Sequence, residues 1–590
     1  MILKSRKHFT LFYHPKLFNT QPVNCNRNLY SKSFCGSTKF KSLHTTNFTN
    51  SKSYRSTIGE NNIFRSRHED LELPTCSVHE YVLRESHKWW NKVALACPDT
   101  GRTYTYEELR KTCGKFATSL RRQLPPGATL AVILPNAIEY PIITLGASEA
   151  GVRMTLMNPE FTALEMNRQL ENSDATAVIT DKSHYPRVME SIKMGNTLVR
   201  SPVIVISNTD VPPGAIDFKD LVSDKVEEFE KTLDKTKIDP LNDTMVLPYS
   251  SGTTGLPKGV ELTHRNITAN LCQVSCEACN SLIKAVDEYQ EVIPVFLPAY
   301  HIYGLTICLF ASLSQGAKLI IMPQFTSDKL LQVLEKYKTT ILFAVPPVIQ
   351  LLIHDNRFQS KHFATMRIIF SGAAPITLEK IAQFKAKITS DSEFSQGYGL
   401  TETSPTLTSG YGAVMESVGF LLPNTELRIF GDERNLGVGE IGEVFVRGPQ
   451  IMKGYYKNVK ATQDCMDGEW FKTGDLGYID EIGQLFITGR MKDLIKVKGS
   501  PVSPTELENL LHGHEQIADA AVIGVPHERF GEVPKAFVVL KRGAKVTEEE
   551  IKDFIAQRVV KYKQLGDVVF TDKINKSPAG KVLRQELQNE

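Results

Sequence analysis

Between two apolar runs the chain reads Tyr249-Ser250-Ser251-Gly252-Thr253-Thr254-Gly255-Leu256-Pro257-Lys258-Gly259. Three glycines let backbone N–H groups converge, Ser250, Ser251, Thr253 and Thr254 can donate hydroxyl hydrogen bonds, and Lys258 adds positive charge. Together these residues suit a polyphosphate. The segment is not a Walker A loop, because Pro257 precedes the lysine and Gly259 follows it where that motif needs Ser or Thr. Two other spacings invite chemistry and are set aside. Cys272-x-x-x-Cys276-x-x-Cys279 has the spacing of an iron–sulfur site but lies in a helix-like stretch after the loop, so buried or partly exposed helical cysteines are expected. Gly437-x-Gly439-x-x-Gly442 matches a dinucleotide fingerprint but runs into the strand-like Glu443-Val444-Phe445-Val446, which predicts a hairpin turn.

The elements that must hold the phosphate loop are parallel strands. Met245–Leu247 precedes it, and similar β-branched runs at Thr129–Leu134, Ala177–Thr180, Val203–Ser207, Glu291–Leu297, Leu319–Met322, Thr340–Val345 and Arg367–Phe370 are separated by helix-length stretches. Leu109, Cys113, Phe116, Ala117 and Leu120 share one helical face over Tyr106–Leu120. After Pro423 short Gly-punctuated strands (Glu426–Phe430, Gly442–Arg447, Gly477–Ile479, Leu485–Thr488) predict an antiparallel sheet or small barrel, and from Met491 a smaller α+β unit follows. The expected class is α/β: a large, multi-subdomain N-terminal domain of parallel βαβ sheets plus a small β-barrel, with a smaller α+β C-terminal domain, which the resemblance described below implies to be a mobile lid. The expected divisions are 1–70, a basic presequence-like segment that is disordered or cleaved, 71–490, and 491–590.

Charge is distributed unevenly. Met1 to Gly59 holds ten Lys and Arg and no Asp or Glu, which leaves 59 basic against 66 acidic residues in the remainder, a net charge of −7. An acidic body argues against a broad nucleic-acid-binding face. The basic, Ser/Thr/Asn-rich start has mitochondrial presequence composition, with a cytoplasmic location as the alternative, and Gln588-Asn589-Glu590 is not a peroxisomal ending. No run of 18 apolar residues predicts a transmembrane helix, and ten scattered cysteines do not make a disulfide scaffold.

Four further motifs follow the phosphate loop: Tyr398-Gly399-Leu400-Thr401-Glu402, Thr473-Gly474-Asp475, Gly489-Arg490-Met491-Lys492-Asp493-Leu494-Ile495-Lys496-Val497-Lys498-Gly499, and Ser577-Pro578-Ala579-Gly580-Lys581. In this order, from about Tyr81 to Arg584, the chain resembles the adenylate-forming superfamily of acyl-CoA synthetases, 4-coumarate:CoA ligases, firefly luciferases and peptide-synthetase adenylation domains. The resemblance implies an enzyme that joins a carboxylic acid to the α-phosphate of ATP, releases pyrophosphate and then passes the acyl group to CoA, with Mg2+ assisting. In that reading Ser250, Ser251, Gly252, Thr253, Thr254, Gly255 and Lys258 cradle phosphates. Tyr398, Gly399 and Thr401 lie by the nucleotide, with Thr401 at the α-phosphate, and Glu402 holds the magnesium. Asp475 and Arg490 serve the ribose, and Gly372, Ala373 and Ala374 line the adenine. Lys581 is the adenylation catalyst, Lys492 the hinge, and Lys496, Lys498 and Gly499 belong to the thioester-forming face and CoA tunnel.

Pro298-Ala299-Tyr300-His301-Ile302-Tyr303-Gly304 resembles the stretch that lies by the substrate carboxylate in coumarate ligases, so His301, Tyr303 and Gly304, with Gly372, Gly397, Pro405 and Thr406, are the implied acyl-pocket residues. Two positions depart from those ligases. Pro501 stands where they usually have Gln, and Gln324 where they often carry Lys. Proline removes both that side-chain amide and its own N–H. The expected reaction is therefore ATP-dependent acyl-CoA ligation of a fatty or arylalkenoic acid, with a luciferase-like monooxygenase, acyl transfer to a carrier-protein thiol and a non-catalytic nucleotide-binding protein as the alternatives. The expected partners are the acid, ATP and CoA.

Overall fold

The computed structural model describes residues 58–588 apart from 232–236, 251–256, 278, 280, 281, 389–391, 499, 578 and 579. Six strands, Thr244–Leu247, Arg153–Met157, Thr129–Ile133, Ala175–Asp181, Ile204–Ile206 and Ile216–Asp217, lie side by side in that order and parallel. All five residues of Thr129–Ile133 are buried, as a strand covered on both faces requires. The helix Tyr106–Arg121 starts on a Thr105/Glu108 capping box and buries Leu109, Cys113, Phe116, Ala117 and Leu120, the face read from its periodicity.

At one edge the sheet changes direction. Lys258–Thr263 pairs antiparallel with Thr244–Leu247, and Tyr249–Ser250 and Gly454–Tyr455 each pair antiparallel with Lys258–Thr263. The strands on either side of residues 251–256 therefore form a hairpin, and the helix His264–Val274 begins only after the second strand.

A second layer is built from Val292–Val295, Lys318–Ile321 and Val93–Ala96 in parallel, and a third set from Ile341–Ala344, Ile368–Ser371 and Glu393–Gln396. The Thr340 N–H donates to the Val292 carbonyl at 2.9 Å and joins the two sets. Beyond them runs an antiparallel sheet in the order Phe64–Arg65, Glu426–Gly431, Gly442–Arg447, Trp470–Ile479, Gln484–Arg490, Gly419–Leu421, Thr408–Ser409. The strand Gly442–Arg447 directly follows the Gly437/Gly439 turn, where Gly439 has φ +77°, so no helix opens there; the turn joins Arg434–Asn435 and Gly442–Arg447, which flank Glu426–Gly431 rather than pairing with each other as a hairpin would require.

The last sheet belongs to a separate unit. Ser500–Val502, Ile495–Val497, Gly531–Leu540 and Ile517–His527 are antiparallel, with Asp567–Phe570 parallel to Gly531–Leu540. Its own core is Leu507, Leu511, Val522, Val538 and Ile551. The helical turn Met491–Asp493 lies between the two sheets.

Two further expectations are corrected. Residues 58–70 are part of the fold rather than of a disordered leader: Phe64 is 1% exposed and pairs with Leu427, and Ser66 Oγ donates to the Leu421 carbonyl at 2.8 Å. A buried aromatic on a sheet edge gives this stretch an apolar contact that ties it to the fold. The helix after the phosphate loop ends at Val274, so Cys276 and Cys279 lie beyond it and only Cys272 is helical. Among the described residues no cluster of His, Cys, Asp and Glu could hold a metal, and no helix is long and apolar enough to cross a membrane.

Candidate active site

A cavity of about 920 Å³ opens where the hairpin edge, the central strand ends, the antiparallel sheet and the C-terminal unit meet. Ser250 and Lys258 flank its phosphate-loop side. Ser251, Gly252, Thr253, Thr254 and Gly255 lie outside the described residues. Across from Ser250, the short helical turn Thr401–Thr403 carries Glu402, which is 7% exposed. Glu402 Oε1 accepts from Ser250 Oγ and from Tyr455 OH, both at 2.9 Å. The Lys258 ammonium sits 4.9 Å from the centre of the Tyr455 ring. Glu402 is thus held rigid through one oxygen, which leaves Oε2 for a cation. A hard ion taking most of its ligands from phosphates and water needs little more from the protein. Tyr455 was not anticipated from the sequence. It reaches Glu402 only because Gly454–Tyr455 pairs with Lys258–Thr263, a contact no local spacing encodes.

A second cluster stands at the far end of the antiparallel sheet. Asp475 and Arg490 are cross-strand partners, and Arg490 Nε lies 2.8 Å from Asp475 Oδ1 while Tyr398 OH donates to Oδ2 at 2.7 Å. Burial raises the Asp475 carboxyl against the lowering pull of Arg490. Asp475 is 2% exposed and does not itself line the cavity, whereas Tyr398, Gly474 and Arg490 do. Any contact with a ribose would therefore use lone pairs that these two donors leave. Ser371, Gly372 and Ala373 line the wall at the end of Ile368–Ser371, with Ala373 at φ +67°, but Ala374 does not line it. Ser371 Oγ is buried there with no hydrogen-bond partner.

The apolar lobe contains the residues anticipated for an acyl group: His301, Tyr303, Gly304, Gly397, Pro405 and Thr406. A π-helical stretch, Tyr303–Ala311, delivers Tyr303, Gly304 and Ile307, and Val274, Leu282, Phe343 and Leu422 complete the apolar surface. Such windings recur at functional sites. Burial pushes His301 down to about 4, so its ring is neutral, and its Nδ1 accepts from the Tyr303 N–H at 3.2 Å. That assigns the proton to Nε2 and makes His301 a hydrogen-bond donor without charge. Gly399 packs so closely on the Pro405 carbonyl that a Cβ would fall 1.8 Å from its oxygen.

Lys581 reaches the cavity from the C-terminal unit. Burial first, then the charges of Arg490 and Lys492, bring its ammonium down to about 8. Lys258, Lys460, Lys472, Arg490 and Lys581 line the cavity against Glu402, Glu443 and Asp464, a net positive wall suited to a polyphosphate. Lys496 and Lys498 are elsewhere. The Lys496 N–H donates to Glu532 Oε2 at 2.6 Å, and the Lys498 ammonium lies 4.4 Å from the Phe530 ring centre. Both side chains are exposed and neither lines the cavity, whereas Lys581 does. Lys492 lies on the turn Met491–Asp493, at the joint between the two units, and Gly499 lies outside the described residues.

Comparison with known proteins agrees with this geometry. Residues 83–456 match the model of the AMP-binding enzyme family, and residues 506–581 match that of the AMP-binding enzyme C-terminal domain. 4-Coumarate–CoA ligase 3 of Arabidopsis thaliana is 36% identical over 540 residues, covering 89% of this chain and 93% of that protein. 4-Coumarate–CoA ligase 2 of Nicotiana tabacum is 36% identical over 539 residues, covering 89% and 96%. Among solved structures, ATP-bound MatB from Rhodopseudomonas palustris superposes with a TM-score of 0.77 at 28% identity, covering 87% of this chain and 98% of that one. A benzoate CoA ligase from Burkholderia xenovorans LB400 gives 0.75 at 26% identity, covering 87% and 100%.

Proposed function

The chain belongs to the AMP-binding enzyme family and is an ATP-dependent acid–thiol ligase, and we propose that it activates a fatty or arylalkenoic acid with Mg2+-ATP before passing the acyl group to CoA. The observation that carries this is the convergence on one cavity of Ser250, Lys258, Glu402, Arg490 and Lys581 with the apolar lobe around His301 and Tyr303. A carboxylate is a weak electrophile, so the first step makes a better leaving group: one carboxylate oxygen bonds to the α-phosphorus and pyrophosphate departs. The thiolate of CoA then bonds to the acyl carbon and AMP departs.

Each residue has a task set by its surroundings. Neutral His301 donates to the substrate carboxylate without the strong attraction that a cation would spend on the ground state. Lys581, ammonium at neutral pH, meets charge developing between carboxylate and α-phosphate, and Lys258 meets the departing phosphates. Ser371 Oγ, orphaned in the wall, gains a partner when a nucleobase fills the adjacent space. A magnesium ion at Glu402 Oε2 would neutralise phosphate charge, and the fixed Oε1 keeps that carboxylate aimed. The acceptor thiol is tested directly. Incubating the chain with acid, ATP and CoA should yield acyl-CoA and AMP by mass spectrometry; transfer only to a carrier protein, or oxidation of the adenylate by oxygen, would replace CoA as acceptor.

We also propose that residues 1–59 direct the protein to mitochondria, on the strength of their acid-free basic composition. Import of the full chain into isolated mitochondria, lost on removing those residues, is the expected result, and retention in the cytosol would overturn it.

A further inference from the structure

Two thiols stand side by side at the wall of the apolar lobe. The helix His264–Val274 is capped at Ser275, and just beyond it the Sγ atoms of Cys276 and Cys279 lie 3.4 Å apart. Their backbones are tied as well, since the Cys279 N–H donates to the Cys276 carbonyl at 3.1 Å. A bond of that span holds two Cα atoms within about 7 Å, near the range of about 4.4–6.8 Å that a disulfide accepts. The sulfurs can therefore join without the chain being rebuilt. A metal site explains the pair less well, because among the described residues no third His, Cys, Asp or Glu completes a group that could hold an ion.

The two side chains differ in their surroundings. Cys276 is partly exposed, whereas Cys279 is 3% exposed. The hydrogen bond with Cys276, and then burial, push the Cys279 thiol up, so it keeps its proton at neutral pH. Cys279 lines the cavity, as do Val274 and Leu282, and Cys276 does not. An oxidant in solution thus meets Cys276 first, and Cys279 is the member that faces the substrate.

We infer that Cys276 and Cys279 are a redox-sensitive modification site: a small-molecule disulfide such as glutathione disulfide links the two sulfurs, and the link weakens binding of the acid in the apolar lobe. The inference rests on the reading that this lobe takes the acid. The Cys276 thiolate bonds to one sulfur of the oxidant, whose other half leaves as a thiolate. The Cys279 sulfur then bonds to Cys276 Sγ, and the second half of the oxidant leaves. Two cysteine thiols become one disulfide, the oxidant is reduced to two thiols, and the two protons end on those thiols. The sulfur separation falls from 3.4 Å to about 2.05 Å. Because only Cys279 stands in the cavity wall, the shortening draws its sulfur out of the lobe. A gap of even ~1 Å forfeits a good part of the contact that an acid packed there would make.

The test uses the full chain, either kept reduced or equilibrated with glutathione disulfide. Peptide mass mapping of the oxidised enzyme should show the loss of two hydrogens and a bond between Cys276 and Cys279. Initial rates of pyrophosphate release should show KM for the acid raised by about threefold, short of the roughly tenfold or more that a whole methylene makes in an apolar pocket. KM for ATP should stay within about twofold, and dithiothreitol should reverse the change. Cys276→Ser, altered outside the cavity wall, should match the reduced wild type and ignore the oxidant. This variant also controls for Cys465, another thiol of the cavity wall. An oxidant effect that persists in Cys276→Ser, no bond between Cys276 and Cys279, or a bond that leaves KM for the acid unchanged would each overturn the inference. A reduced wild-type chain that adenylates no acid would instead overturn the ligase reading, whatever the state of the two cysteines.

Discussion

The charge on Lys581 should be visible in the pH dependence of adenylation. Its ammonium titrates at about 8 in the nucleotide-free enzyme because burial and the neighbouring Arg490 and Lys492 disfavour the charged form. The sign follows directly: the protonated lysine is the active form, so activity is present below that value and is lost as pH rises through it. With a pKa near 8, roughly 90% of the enzyme carries the ammonium at pH 7 and roughly 9% at pH 9, a loss of about tenfold. The quantity to measure is kcat/KM for ATP in pyrophosphate release at saturating acid, because that ratio reports groups of the free enzyme. Lys581→Arg keeps its charge across this range and should remove the alkaline limb, while Lys581→Ala should lower the rate by about 10²–10³ at every pH. A wild-type profile flat to pH 10, or an identical limb in Lys581→Arg, would refute the assignment.

Other consequences follow from individual contacts. Glu402→Gln removes the charge but keeps the shape that Ser250 and Tyr455 hold, and should raise the magnesium concentration needed for half-maximal adenylation by about tenfold or more. An unchanged magnesium requirement would remove Glu402 from that role. Tyr398→Phe leaves Asp475 Oδ2 buried without a donor, a cost of about 1–3 kcal/mol, and should raise KM for ATP more than it lowers kcat in steady-state assays. Lys496→Ala, outside the cavity in this lid orientation, should leave single-turnover pyrophosphate release intact while slowing acyl-CoA formation from added adenylate.

What the sequence made legible was local. The buried strands announced themselves by β-branched runs, and the helix face Leu109, Cys113, Phe116, Ala117, Leu120 by its period, because burial acts on side chains a few residues apart. The motif residues Tyr398, Glu402, Arg490 and Lys581 were also legible, and the fold does bring them to one cavity. What stayed hidden depends on long-range pairing. Tyr455 meets Glu402 through an antiparallel edge formed across nearly two hundred residues of chain. Asp475 stands in a motif visible in the sequence, but its burial behind hydrogen bonds from Tyr398 and Arg490 is a property of the folded sheet. The boundary near residue 70 failed for a related reason: a lone Phe64 gives no periodic signal, yet one buried aromatic on a sheet edge suffices to order its neighbours.

The most direct test of the central claim is pyrophosphate release by the chain freed of its first 59 residues, across short to long fatty acids and cinnamic-type acids, each with and without CoA. The account predicts continuous turnover for one class of acid only when CoA is present, with a single stoichiometric burst in its absence. A burst that CoA fails to convert into turnover would contradict CoA as the acceptor, and no release with any acid would contradict acyl adenylation itself.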